Sequence, residues 1–332
     1  MKKNPKTKTP KINRPLADIA RALRRYETFF IAGHMKPDGD TIGTALALAS
    51  LLKRLGKKAF VYSREEVPAN LCFIPGARRI VVTEKVRREF DCAIILECKD
   101  LARMGDLITP DQVRTIINID HHADFNPFGA INYLDSTASS SAEQVFDLFS
   151  FMKIPIHCNE AEGLYVGLVT DTGQFQHANA SPSALRMGAR LLEVGIVPDH
   201  IYDNLYASNS LSSLHLLGST LLTLEKTADG KIAAMTIPRS SYRRTGSDVT
   251  ETDGIINFAM TMPAVVVGVL LRETEVKGQI KVSLRARGTF NVNAVAHHFG
   301  GGGHKKAAGC TLTGTLSSVK KTIIDFVVKQ GV

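Results

Sequence analysis

The sequence predicts an α/β protein, a parallel sheet with helices on both faces, followed by a smaller α+β domain. Three observations carry this. From residue 15 to about 192, short apolar runs alternate with segments of helical periodicity, the pattern of parallel strands joined by crossover helices. Clusters of Asp, Glu and His stand at the ends of several of those runs, and open α/β sheets bind ligands outside the carboxyl ends of their strands. Beyond about residue 222 the texture changes. The expected divisions are a basic, disordered tail (1–14), a first domain (15–194), a helical linker (195–222) and a second domain (223–332).

In chain order, Phe29-Phe30-Ile31-Ala32 reads as a buried strand. After Asp40, apolar residues at Ile42, Ala45, Leu46, Ala49, Leu52 and Leu55, with Gly56 as a stop, predict a helix beginning at about Thr41. Strands follow at 58–62, 92–97, 115–120 and 130–134, and helices at 141–152, 160–170 and 183–194. In the second domain, 233–238, 264–272 and 279–285 read as strands, the last two separated by a turn at Lys277-Gly278. Residues 292–299 and 317–328 read as helices.

The 332 residues are too many for one typical domain, and 44% hydrophobic content is enough for a sizeable core. The longest apolar candidate, 255–271, is broken by Asn257, Thr261 and Pro263, so no membrane span is expected. The N-terminus lacks the apolar segment of a secretory signal. Six basic residues and no acid lie within 1–14, and without them the formal net charge of +9 falls to +3. That tail reads as a solubilising extension or as a phosphate-binding arm. The mildly basic remainder suits a short anionic ligand better than a long duplex. Cys72, Cys92, Cys98, Cys158 and Cys310 form no C-x-x-C pair and read as reduced thiols of a cytoplasmic protein.

Four clusters carry the candidate chemistry. They are His34-Met35-Lys36-Pro37-Asp38-Gly39-Asp40, Glu97, Asp120-His121-His122 and Asp171. Pro37 and Gly39 favour a tight, non-helical backbone in the first. Oxygen and imidazole donors without thiolates suit Mn²⁺ or Mg²⁺, with Co²⁺ or Fe²⁺ as substitutes, and not structural zinc. The donors outnumber the needs of one ion. Two ions about 3.5–4 Å apart would use them, activating a water between them and neutralising charge on a phosphoryl oxygen. A further signal, Gly300-Gly301-Gly302-Gly303-His304-Lys305-Lys306, follows an apolar helix. Its backbone N–H groups can approach an anion closely, with His304, Lys305 and Arg285 as cationic or donor neighbours.

With these motifs the chain resembles the DHH phosphoesterase superfamily, and within it the bacterial nanoRNase type, which combines oligoribonuclease and pAp (3′-phosphoadenosine 5′-phosphate) phosphatase activities. The resemblance runs from about Phe29 to the C-terminus. It rests on His34-x-x-x-Asp38-x-Asp40, Leu96-Glu97-Cys98-Lys99-Asp100-Leu101-x-Arg103 and Asp120-His121-His122. It extends through Gly167-Leu168-Val169-Thr170-Asp171-Thr172-Gly173-Gln174-Phe175, Val282-Ser283-Leu284-Arg285 and Gly301-Gly302-Gly303-His304.

The resemblance implies the roles of these residues. His34 and Asp38 would hold one metal; Asp40, His121 and Asp171 the other; Glu97 would bridge both. Asp120 would orient a neighbouring histidine. His122 would face the scissile phosphate, making His121, His122 and Asp38 the catalytic group. Arg103, Arg285, Gly301, Gly302, Gly303 and His304 would grip the substrate across an interdomain cleft. The family has Asp where this chain has Glu97. The longer side chain is expected either to work as an altered ligand or to weaken the site.

The implied activity is a metal-dependent phosphohydrolase, an exonuclease that degrades very short oligoribonucleotides to 5′-mononucleotides with pAp as a second substrate. Its cofactor is expected to be two Mn²⁺ ions, replaceable by Mg²⁺ or Co²⁺. Rival readings are hydrolysis of linear or cyclic signalling dinucleotides, or a nucleotide-binding regulator whose site Glu97 has weakened. The expected partners are short RNA or a dinucleotide, no membrane, and a second copy of the chain as a compatible homodimer.

Overall fold

The computed structural model describes residues 14–122, 126–207, 209–252, 254–303 and 305–332. The chain divides into two units, residues 1–208 and 209–332, with the boundary inside the predicted linker. The basic tail lies outside the described residues except Arg14, which begins the first helix.

The first unit comprises α1 (Arg14–Arg25), β1 (Thr28–Ala32), α2 (Gly39–Arg54), β2 (Lys58–Ser63), β3 (Val81–Val82), β4 (Phe90–Leu96), β5 (Val113–Asp120), β6 (Ile131–Leu134), α3 (Ser141–Met152), α4 (Cys158–Asp171), α5 (Pro182–Glu193) and α6 (Pro198–Tyr206). The strands pair in the order β3-β2-β1-β4-β5-β6, and every pairing is parallel. All six therefore end at one edge of the sheet. Side chains alternate across it: Phe29 and Ile31 enter one core, Phe30 and Ala32 the other. The larger core takes the apolar stripes of α1 to α6. On the opposite face the helical cover is a 3₁₀ turn, Ala102–Met104, with Leu107 and Ile108 beside it. Helix α1 and the two-residue β3 are absent from the sequence prediction.

The second unit comprises α7 (Leu211–Leu221), β7 (Glu225–Lys226), β8 (Ile232–Ile237), α8 (Arg239–Thr245), α9 (Ile255–Ala259), β9 (Val267–Glu273), β10 (Gln279–Ala286), α10 (Val292–His298), β11 (Gly302–Gly303), β12 (Ala307–Thr313) and α11 (Leu316–Lys329). Its sheet order is β11-β12-β10-β9-β8-β7, with β8 and β9 parallel and the other pairs antiparallel. Helices α10 and α11 pack on one face, and α7, α8 and α9 on the other. The glycine segment, expected to be a loop, supplies the edge strand β11. No helix among the described residues is long and apolar enough to cross a membrane.

Candidate metal centre

The predicted acidic and imidazole residues of the first unit meet at the carboxyl edge of the parallel sheet. Helix α2 begins at Gly39, two residues before the expected start, because Asp38 caps it. Asp38 Oδ1 accepts from the Thr41 backbone N–H at 2.9 Å. Asp40 thus lies in the first turn of α2, fully buried. Its carboxylate accepts from the backbone N–H groups of Ser141 (2.6 Å) and Ala142 (2.9 Å) and from Thr44 Oγ1 (2.9 Å). The positive end of α3 therefore anchors this acid.

Close helix packing sets the spacing. Gly39 and Gly43 on α2 face Thr170, Gly163 and Gly167 on α4. A Cβ on Gly43 would lie 2.1 Å from the Gly163 carbonyl oxygen, and one on Gly163 would lie 2.7 Å from that of Gly43. A Cβ on Gly167 would lie 2.5 Å from Asp40 Oδ1. Only glycine lets α4 approach α2 this closely, and that approach brings Asp171, the last residue of α4, to Asp40.

Two groups of donors result. His34, Asp38 and Glu97 offer ligand atoms within 4.8 Å of one another, as do Asp40, His121 and Asp171. Glu97 Oε2 lies 3.3 Å from His34 Nε2, and His121 Nε2 lies 3.4 Å from Asp171 Oδ2 and 4.0 Å from Asp40 Oδ2. Burial, with the nearby Asp40 and Asp38 carboxylates, holds the Glu97 carboxyl well above its ordinary range. The same causes push Asp171 up to about 8. Burial lowers the His121 imidazole, against the pull of Asp40. Burial alone would lower His34 too, but its hydrogen bond and attraction to Asp38 raise it.

This donor set fits divalent cations. Glu97 Oε1 and His121 Nε2 are buried with no hydrogen-bond partner, which is unusual for buried polar atoms. Both belong to the clustered groups. A cation would satisfy the two atoms and the crowded carboxylates together, and the absence of thiolates favours a hard or borderline ion.

Asp120, at the end of β5, holds the other histidine of its motif. Its Oδ1 lies 2.8 Å from His122 Nδ1 and accepts from the His122 backbone N–H at 2.9 Å. The hydrogen bond to Asp120 raises His122, against the lowering effect of burial. His122 remains 43% exposed, whereas His121 is 12% exposed. Arg103 lies in the Ala102–Met104 turn; its carbonyl accepts from Met35 N–H at 2.9 Å, and its positive charge opposes protonation of His34.

The predicted residues of the second unit form their own group. Arg285 on β10 pairs with Ala307 on β12, and Gly303 on β11 pairs with Ala308. A Cβ on Gly301 would lie 2.1 Å from the Gly309 carbonyl oxygen, and one on Gly303 would lie 2.6 Å from that of Ala307. These glycines are required by close strand approach, while Gly302 is open. His304 lies outside the described residues.

Two family models match, the DHH family N-terminal domain at residues 28–168 and the DHHA1 domain at residues 229–329. The chain is 32% identical over 297 residues to the bifunctional oligoribonuclease and PAP phosphatase NrnA of Thermus thermophilus, covering 89% of this chain and 88% of that protein. The chain belongs to the DHH family. This DHH protein is also 23% identical over 300 residues to the NrnA of Bacillus subtilis, with 89% and 92% covered. Among solved structures, an exopolyphosphatase-related protein from Bacteroides fragilis superposes with a TM-score of 0.87 at 27% identity, covering 98% of each chain.

Sequence reasoning missed residues that shape the centre. Thr41 donates to Glu97, the N–H groups of Ser141 and Ala142 bind Asp40, and Asn179 Nδ2 donates to the carbonyls of Ser139 and Asp171. One signal was available for the second: Ser140 and Glu143 sit at capping spacing before α3. Two Gly-x-x-x-Gly spacings, 39/43 and 163/167, likewise marked the α2–α4 approach.

Proposed function

We propose that this DHH protein is a two-metal phosphohydrolase that cleaves very short oligoribonucleotides to 5′-mononucleotides and removes the 3′-phosphate of pAp. The observation that carries the reading is the pair of three-ligand clusters with Glu97 beside both. The names of the Thermus thermophilus and Bacillus subtilis relatives support the substrate class.

His34 and Asp38 would hold one cation, Asp40, His121 and Asp171 the second, and Glu97 both. Mn²⁺ suits these donors best, with Mg²⁺ or Co²⁺ as substitutes. When bound, such ions supply positive charge against phosphoryl oxygens and activate water for in-line attack. The protein groups do the rest. Asp120 fixes His122 through Nδ1, leaving Nε2 to donate a hydrogen bond to a phosphoryl oxygen. Arg103, beside His34, adds charge against the substrate phosphate. Within the second unit, Arg285 with Gly301, Gly302 and Gly303 is suited to hold an anionic group. Base selectivity is expected to be weak, because Trp, the broadest stacking side chain, is absent from the sequence.

Product analysis tests the reading. Labelled dinucleotides, longer RNAs and pAp are incubated with Mn²⁺. Release of 5′-mononucleotides from dinucleotides, faster than from longer RNA, is expected. Tight dinucleotide binding without turnover would replace it with the regulator reading.

A further inference from the structure

Thr41 Oγ1 donates to Glu97 Oε2 at 2.8 Å, and both residues are buried. The threonine has little freedom to do otherwise. Its methyl group occupies the space in front of Gly33, where a Cβ would lie 2.2 Å from Thr41 Cγ2. Its backbone N–H is held by Asp38 Oδ1. Methyl group, hydroxyl and backbone are thus each fixed by a different neighbour. Glu97 itself sits at φ +56°, in the left-handed region, which is strained for a non-glycine residue. Its Oε2 is shared by Thr41 and His34, whereas its Oε1 has no partner.

We propose that Thr41 is a positioning residue for the metal centre. It fixes the longer Glu97 side chain by one oxygen, so that the other faces the space between the two ligand clusters. The inference rests on the metal-centre reading. It also accounts for how a glutamate, rather than the shorter aspartate that the sequence resemblance implies, can serve here: the hydroxyl takes up the rotational freedom that the extra methylene adds. An aspartate at 97 would retract the carboxylate by ~1.5 Å, one carbon–carbon bond, out of reach of Thr41.

The test is a double-mutant cycle on the full-length, metal-stripped protein, with free Mn²⁺ counted by its electron paramagnetic resonance signal. Thr41→Val, which removes the hydroxyl and keeps the shape, should weaken Mn²⁺ binding by about tenfold or more. Thr41→Ser should restore most of the loss. In a Glu97→Asp background, Thr41→Val should change Mn²⁺ affinity less than about threefold, since no hydrogen bond remains to lose. An equal loss in both backgrounds would show Thr41 acting on helix α2 in general, and would overturn the proposal. So would Mn²⁺ affinity unchanged by Thr41→Val in a protein that otherwise binds Mn²⁺. Wild-type protein that takes up no Mn²⁺ would instead overturn the underlying reading of the site.

Discussion

Glu97 combines three costs at one position: a left-handed backbone, full burial and two neighbouring carboxylates. A residue with no task would not hold all three. Glu97→Gln should therefore reduce dinucleotide turnover by at least about 100-fold. The same change should raise the melting temperature of the metal-free protein above pH 7, because it removes a crowded buried acid. Glu97→Asp should retain turnover. Assays paired with thermal melts check both halves; full activity in Glu97→Gln would mean that this carboxylate has been misplaced.

The raised acids also predict a pH dependence. The Asp171 carboxyl titrates near 8 in the folded, metal-free chain and near 3.8 when unfolded. Between these values the native state holds the extra proton, so metal-free stability falls as pH rises from about 4 to about 8. Cation binding must displace that proton, so stabilisation by Mn²⁺ should grow over the same range. Melting curves at several pH values, with and without Mn²⁺, test this; a Mn²⁺ shift that shrinks towards pH 8 would contradict it. Most of these residues were legible, since each side chain sits at the end of an apolar run or in a known motif. Thr41 was not, because its task comes from Glu97, 56 positions away in sequence.

At the scale of elements, the centre depends on α2 and α4 lying almost in backbone contact. Gly163→Ala places a methyl group against the Gly43 carbonyl. Overpacking of this kind costs about 1–3 kcal/mol. Because α2 carries Asp40 and α4 ends in Asp171, the variant should lose Mn²⁺ affinity as well as stability. Chemical denaturation and Mn²⁺ titration would measure the two together; a neutral Gly163→Ala would remove this account of the spacing. Strands β1, β4 and β5 were readable because continuous apolar runs mark strands buried on both faces. Strand β12 was not: Ala307, Ala308, Gly309 and Cys310 form no apolar run, and pairing with β10 decides their state. Strand β11 consists of two glycines with no strand preference of their own. Helices α8 and α9, of seven and five residues, are too short for a helical period to show. Helix α1 was within reach, since Leu16, Ile19, Ala20 and Leu23 lie on one buried face after Pro15.

For the whole molecule, metal ligands and anion contacts are assigned to separate units. Every proposed metal ligand lies in residues 1–208, whereas Arg285 and the glycine strand lie in residues 209–332. Arg285→Ala should therefore raise KM for dinucleotides while leaving Mn²⁺ affinity within about twofold of wild type, as expected of a phosphate contact. An unchanged KM would remove Arg285 from the substrate site.

The central claim is that this chain hydrolyses short RNA through the clustered acids and histidines. Mononucleotide release from a labelled RNA dinucleotide tests it most directly, measured in Mn²⁺, in excess EDTA, and with Glu97→Gln in Mn²⁺. The account predicts 5′-mononucleotides in the first case and none above background in the second. The third should stay at least about 100-fold below the first. Undiminished release in EDTA, or a wild-type protein that binds the dinucleotide and leaves it intact in Mn²⁺, would contradict it.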